Sequence, residues 1–189
     1  MKTLIPLLLI GSFLGLIAAA QLYDTGLAAS PIDIDDSNIP YTAADVGGEG
    51  IDADALAKLN EVRKKLKIRY QVVSGFRSKE ENKEIGGAKH SRHMNGLAFD
   101  ILVPDSDQAK FYEAAKASGF VAFGWAHDAL HIDTGNKRWW TYDDDSDAMY
   151  GSAKCAHLDK APTNFINDPD YGAKAWCDKF KRKHISKRL

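Results

Sequence analysis

A chain of 189 residues with 44% hydrophobic and 27% charged side chains holds enough apolar material for one packed core; its composition is not that of a disordered, collagen-like or polytopic membrane protein. A formal net charge of -1 leaves no excess of Lys and Arg to neutralise phosphates, which argues against a general nucleic-acid binder. The average conceals polarity along the chain: apolar residues open it, acidic residues follow and basic residues close it.

Residues 1–23 place Lys2 before a stretch without charge that runs to Tyr23. This reads either as a signal peptide cleaved after Ala20, with Ala18 and Ala20 as the small residues a peptidase accepts, or as a retained N-terminal membrane anchor of about 20 residues. Both readings put the remainder outside the cytoplasm. Residues 24–50 mix Pro31, Pro40, Gly47, Gly48 and Gly50 with acids, show no periodicity, and are predicted to form a flexible acidic linker.

Residues 51–66 carry Leu56, Leu59, Val62 and Leu66 at spacings of three and four, which predicts an amphipathic helix. A short strand is expected over 70–74, a brief helix over 79–85 stopped by Gly86 and Gly87, and the clearest strand over 97–103 between Gly96 and Pro104. Residues 106–118 read as a helix with Phe111, Ala114 and Ala115 turned inward. Two further strands are expected over 120–125 and 130–134, followed by the aromatic stretch Trp139, Trp140 and Tyr142. Helices mixed with short strands, without regular alternation, predict an α+β domain over 51–142, a small and mostly antiparallel sheet flanked by helices.

Residues 143–189 read as a C-terminal extension. It begins with the acids Asp143, Asp144, Asp145 and Asp147 and ends in a basic tail from Lys179. The tail is read as a solvated helix end, with attraction to anionic lipid or wall polymer as its functional alternative. Cys155 and Cys177 are the two cysteines, and in an oxidising compartment they are expected to pair as a disulfide.

The chemistry concentrates between Ser74 and Asp133. His93 and Asp100 offer an imidazole and a carboxylate, ligand types that zinc accepts beside an open position for water. A strand starting at Leu97 turns Phe99 and Ile101 to the core and Ala98 and Asp100 the other way. A carboxylate inside an apolar strand is costly unless something pairs with it, and a metal is a natural partner. On the next candidate strand His131 and Asp133 share one face while Leu130 and Ile132 share the other. Two His and one Asp leave a fourth tetrahedral position for a hydrolytic water, and Asp128, three residues before His131, is placed to act as general base. His90 and His127 read as solvated loop residues within reach of substrate.

The ten-residue motif containing Ser91, His93, Gly96, Ala98 and Asp100, preceded by Ser74, Gly75, Phe76, Arg77 and Ser78 and followed by His131, Ile132 and Asp133, resembles the zinc D-Ala-D-Ala carboxypeptidase and L-alanyl-D-glutamate endopeptidase family, which has the hedgehog/DD-peptidase fold. The resemblance spans residues 51–142. It implies His93, Asp100 and His131 as ligands of Zn2+, the peptide stems of bacterial peptidoglycan as substrate, Ser91 as a substrate-binding position, and Arg77 as the residue that binds substrate and stabilises a developing oxyanion. For the base, Asp128 has the family's spacing. Relatives with the His-Ile-Asp-Thr-Gly stretch but no such acid keep Asp133 open as base or as a residue orienting a ligand. The motifs do not separate a D,D-carboxypeptidase from an endopeptidase, and an N-terminal hydrophobic segment on a small hydrolase is also similar to phage lytic enzymes. The alternative is a non-catalytic zinc-containing cell-wall-binding module.

Overall fold

A computed structural model describes residues 38–126, 129–142, 155 and 158–185. The N-terminal hydrophobic segment, His127, Asp128 and the acids at 143–147 lie outside the described residues. Among the described residues no helix is long and apolar enough to cross a membrane.

Helix α1 (Ala53–Leu66) starts where the Asp52 carboxylate accepts the Ala55 N–H at 2.9 Å, satisfying one of the donors that a helix start leaves free. It buries Ala55, Leu59 and Val62. Strand β1 (Val72–Ser74) leads into α2 (Lys79–Glu84), which opens on a reciprocal cap between Ser78 and Glu81. A short 3-10 helix, Arg92–Asn95, precedes β2 (Ala98–Leu102). Helix α3 (Asp105–Ala117) turns Phe111, Tyr112, Ala114 and Ala115 inward and lies against α1. Strands β3 (Ala122–Trp125), β4 (Ala129–Asp133) and β5 (Arg138–Thr141) complete a five-stranded sheet in the order β1-β2-β4-β3-β5. Its pairings are antiparallel except β3 with β5, which is parallel, so the expected α+β class with a mostly antiparallel sheet is what forms.

Alternation divides the sheet into two faces. Phe99 and Ile101 of β2, Phe123 and Trp125 of β3, and Leu130 and Ile132 of β4 are fully buried and join α1 and α3 in one core. The opposite face carries a row with one residue from each strand: Ser74 pairs with Asp100, Asp100 with His131, His131 with Gly124, and Gly124 with Trp140.

Two segments outside 51–142 also contribute to this core. Within the stretch expected as a linker, Tyr41 and Val46 are only 5% and 1% exposed, and the Tyr41 hydroxyl donates to the Tyr70 carbonyl at 2.5 Å. Isolated apolar residues among Gly, Pro and acids produce no period, so sequence gives no sign of this packing. Towards the C-terminus, α4 (Thr163–Ile166) buries Phe165 against Trp125, Tyr112 and Trp139, at ring separations of 4.9, 5.2 and 6.0 Å. Helix α5 (Ala173–Ile185) is joined to Cys155 by the expected Cys155–Cys177 disulfide.

Candidate metal centre

Asp100 and His131 reach the same face because β2 and β4 pair in register at these positions. His93 arrives from the 3-10 helix, which ends at Gly96 with φ of 69°, a backbone conformation that only glycine adopts freely. A Cβ at Gly96 would also run into Gly50 O and Asp52 N, and the Gly96 carbonyl accepts the Asp52 N–H at 3.1 Å. The residue at 96 thereby ties the start of α1 to the segment carrying His93. The Arg77 N–H bonds the His93 carbonyl at 3.2 Å.

Three ligand atoms converge. His131 Nδ1 lies 2.8 Å from Asp100 Oδ1, and His93 Nε2 lies 3.2 Å from each of them. These are the residues that could hold a metal ion. Zinc with Zn–N and Zn–O bonds of roughly 2.1 Å in a tetrahedron separates its ligand atoms by about 3.4 Å, close to the two sides that meet at His93 Nε2, while the shorter side between His131 and Asp100 would open by about half an ångström to admit the ion. The imidazole protons fit as well. His93 Nδ1–H donates to the Gly75 carbonyl at 2.6 Å, leaving the Nε2 lone pair for the cluster. His131 Nε2–H donates to Asp133 Oδ2 at 3.1 Å, leaving Nδ1 directed at Asp100. Such partners behind a ligating imidazole set its tautomer and orientation.

The electrostatics describe a site built for positive charge. Burial alone would raise the Asp100 carboxyl, but hydrogen bonds from His131 and His93 and their charge outweigh it and hold Asp100 well below the usual carboxylate range. Burial disfavours a charged His131, yet the carboxylates of Asp100 and Asp133 on its two nitrogens raise it above an ordinary histidine. Positive charge at this point, whether a proton or a metal ion, is therefore favoured.

Around the cluster, Arg77 Nη2 donates to Asp100 Oδ2 at 2.5 Å and Arg77 Nε to Ser74 Oγ at 2.7 Å. Arg77 thus stands beside the ligand carboxylate, using two of the guanidinium's five donors. Asp133 is 0% exposed. Its oxygens accept from His131, from the Gly135 N–H at 2.8 Å, and from Arg138 Nη1 and Nη2 at 3.1 and 2.5 Å. It lies on the side of the His131 ring away from Asp100. Ser91 precedes the His93 helix as its N-cap and is partly buried, and His90 is exposed. Asp128 and His127 lie outside the described residues.

Sequence reading passed over Arg138, Trp140 and Gly124. The Trp140 ring lies 4.9 Å from the His131 ring, and Arg138 Cζ sits 5.0 Å from the Trp140 centroid. A signal existed, since Arg138, Trp140 and Tyr142 alternate at period two. Trp139 and Thr141 are the buried members of that strand.

Two imidazoles and one carboxylate are a donor set used by catalytic zinc sites, which keep a further position for water or substrate. With the α+β fold, this set defines a metal centre of hydrolytic type. The chain belongs to the peptidase M15 family, whose model matches residues 34–133. It is also similar to the zinc D-Ala-D-Ala carboxypeptidase of Streptomyces albus G, 33% identical over an alignment of 75 residues that covers 37% of this chain. The chain spans 29% of that relative's length.

Proposed function

We propose that the protein is an exported zinc peptidase that cleaves the peptide stems of bacterial peptidoglycan, as a D,D-carboxypeptidase or as a D,D- or L-alanyl-D-glutamate endopeptidase. The observation that carries the reading is the triangle of His93 Nε2, Asp100 Oδ1 and His131 Nδ1 at 2.8 to 3.2 Å, with both imidazole tautomers set from behind. The substrate class follows the carboxypeptidase named above, and the disulfide supports an oxidising compartment outside the cytoplasm.

His93, Asp100 and His131 would hold zinc, which when bound would supply Lewis acidity towards the scissile carbonyl and activate a water. Asp128, three residues before His131 in the sequence, would be the base that takes the attacking water's proton and passes it to the leaving amine. Asp133 is left to orient His131, because its buried oxygens are already committed to His131, Arg138 and Gly135. Arg77 keeps donors beyond those used by Ser74 and Asp100, and these bind substrate and stabilise negative charge as it grows on the carbonyl oxygen. Ser91 borders the same motif and contacts substrate.

The test is digestion of purified peptidoglycan by zinc-loaded protein, followed by mass spectrometry of the muropeptides. New amino groups are expected, and Asp128→Ala should abolish them without loss of zinc. Removal of one terminal D-Ala identifies a carboxypeptidase; scission within the stem or its cross-link identifies an endopeptidase. Bound zinc with no cleavage of any wall fragment would contradict the peptidase reading and favour a wall-binding module.

A further inference from the structure

His131 and three side chains around it form a closed circuit. His131 donates to Asp133, Arg138 grips both oxygens of Asp133, the Arg138 guanidinium lies over Trp140, and the Trp140 ring leans on His131 at 55°. The space that Trp140 fills depends on a missing side chain. A Cβ at Gly124 would come within 3.0 Å of Trp140 Cε2, Cζ2 and Nε1. Gly124 stands between His131 and Trp140 in the cross-strand row, so a ring rooted on β5 passes over β3 and reaches an imidazole on β4. Glycine inside a strand weakens it, and here the close approach of that ring is what requires it.

The hydrogen bond to Asp133 fixes one edge of the His131 ring but not its plane. Rotation about that edge would swing Nδ1 away from Asp100 and His93. A ring against one face blocks this rotation. The His131 ring also meets the ring of His93 at 69° and 4.9 Å, itself a ligand. Arg138 links the two restraints, because displacing Trp140 gives up a cation–π contact and displacing Asp133 breaks a bidentate ion pair. Resting on the zinc reading above, we propose that Trp140 is a positioning residue that fixes the plane of the metal ligand His131, with Gly124 as the notch that admits it.

The experiment measures zinc affinity of the full chain by competition with a chromophoric chelator, and quenching of tryptophan emission by Co2+. Trp140→Ala should weaken zinc binding by about 10- to 100-fold, the range for residues that orient metal ligands, whereas Trp140→Phe, which keeps an aromatic face, should stay close to the parent. Gly124→Ala removes no ligand and, by displacing the Trp140 ring, should weaken binding comparably. In the Trp140→Ala background it should cost nothing more, because the ring it displaces is gone. Co2+ should quench the parent, and Trp140→Phe should lose most of that quenching. Parent-like affinity in Trp140→Ala, or a full additional loss when Gly124→Ala is added, would overturn the proposal. If Trp140→Ala does not fold, the same pairing with Trp140→Leu replaces it and is read by the same outcomes. A parent that binds no zinc would instead refute the functional reading on which the proposal rests.

Discussion

Asp100 divides its carboxylate between two tasks, one oxygen in the ligand triangle and the other held by Arg77. The Arg77 fork spans Ser74 and Asp100 at once, which a lysine ammonium cannot reproduce. Arg77→Lys should lower turnover by roughly 10²- to 10³-fold, the effect of removing one donor to a developing oxyanion, while zinc content measured by atomic absorption stays unchanged. Asp133→Asn keeps an acceptor for His131 but leaves Arg138 without its counter-charge, so zinc affinity should fall by about 10- to 100-fold in the same chelator assay. Asp100 and His131 were legible in the sequence because period-two alternation sets them on the face opposite Phe99, Ile101, Leu130 and Ile132, whereas His93, on a 3-10 helix, was legible only through the motif it shares with Asp100. Trp140, Gly124 and Arg138 were not. The period-two alternation of Arg138, Trp140 and Tyr142 marks one face of a strand, but their role depends on the parallel pairing of β3 with β5, which brings Gly124 and Trp140 side by side and is not written in any local pattern.

At the scale of elements, α4 and the turn after it dock on α3 through both apolar and charged contacts. Asp168 accepts from the Tyr112 hydroxyl at 2.6 Å and pairs with Lys116, which also reaches Asp170 at 2.8 Å. Burial would raise the Asp168 carboxyl, but Lys116 and Tyr112 outweigh it and hold it below the ordinary carboxylate value. A depressed carboxylate contributes stability that is present above its unfolded pKa and is lost as pH falls through the lower folded value. Asp168→Asn should therefore cost about 1–3 kcal/mol near neutral pH. The gap in melting temperature from the parent should close as pH falls below about 4. Thermal melts of both proteins from pH 7 to pH 2 check this, and a gap that persists in acid would contradict it. Sequence foretold the cysteine pair in this segment from compartment chemistry. It gave no hint of Phe165, because one phenylalanine among polar residues has no period to mark its buried side.

For the molecule as a whole, the 51–142 region that carries every motif does not enclose its own core. Val46 from one flank and Phe165 from the other are 1% and 0% exposed. A fragment limited to 51–142 would leave the surfaces of Trp125, Tyr112 and Trp139 that Phe165 covers open to water, and loss of one buried Phe side chain alone costs about 3–5 kcal/mol. That is a large share of the roughly 5–15 kcal/mol that stabilises a typical domain. The fragment should melt without a cooperative transition, whereas a chain that retains 38–50 and 155–185 should melt as one unit. Differential scanning calorimetry separates the two results. The chemistry depends on a few residues on one sheet face.

In the proposed peptidase a zinc ion held by His93, Asp100 and His131 is required for peptide hydrolysis. That requirement is tested by stripping the protein with a chelator, returning zinc in steps, and following amino-group release from purified peptidoglycan. No release is expected from the stripped protein, release should rise with zinc occupancy, and none should appear at any zinc level in His93→Ala. Release that survives stripping, or a fully loaded protein that releases nothing, would contradict it.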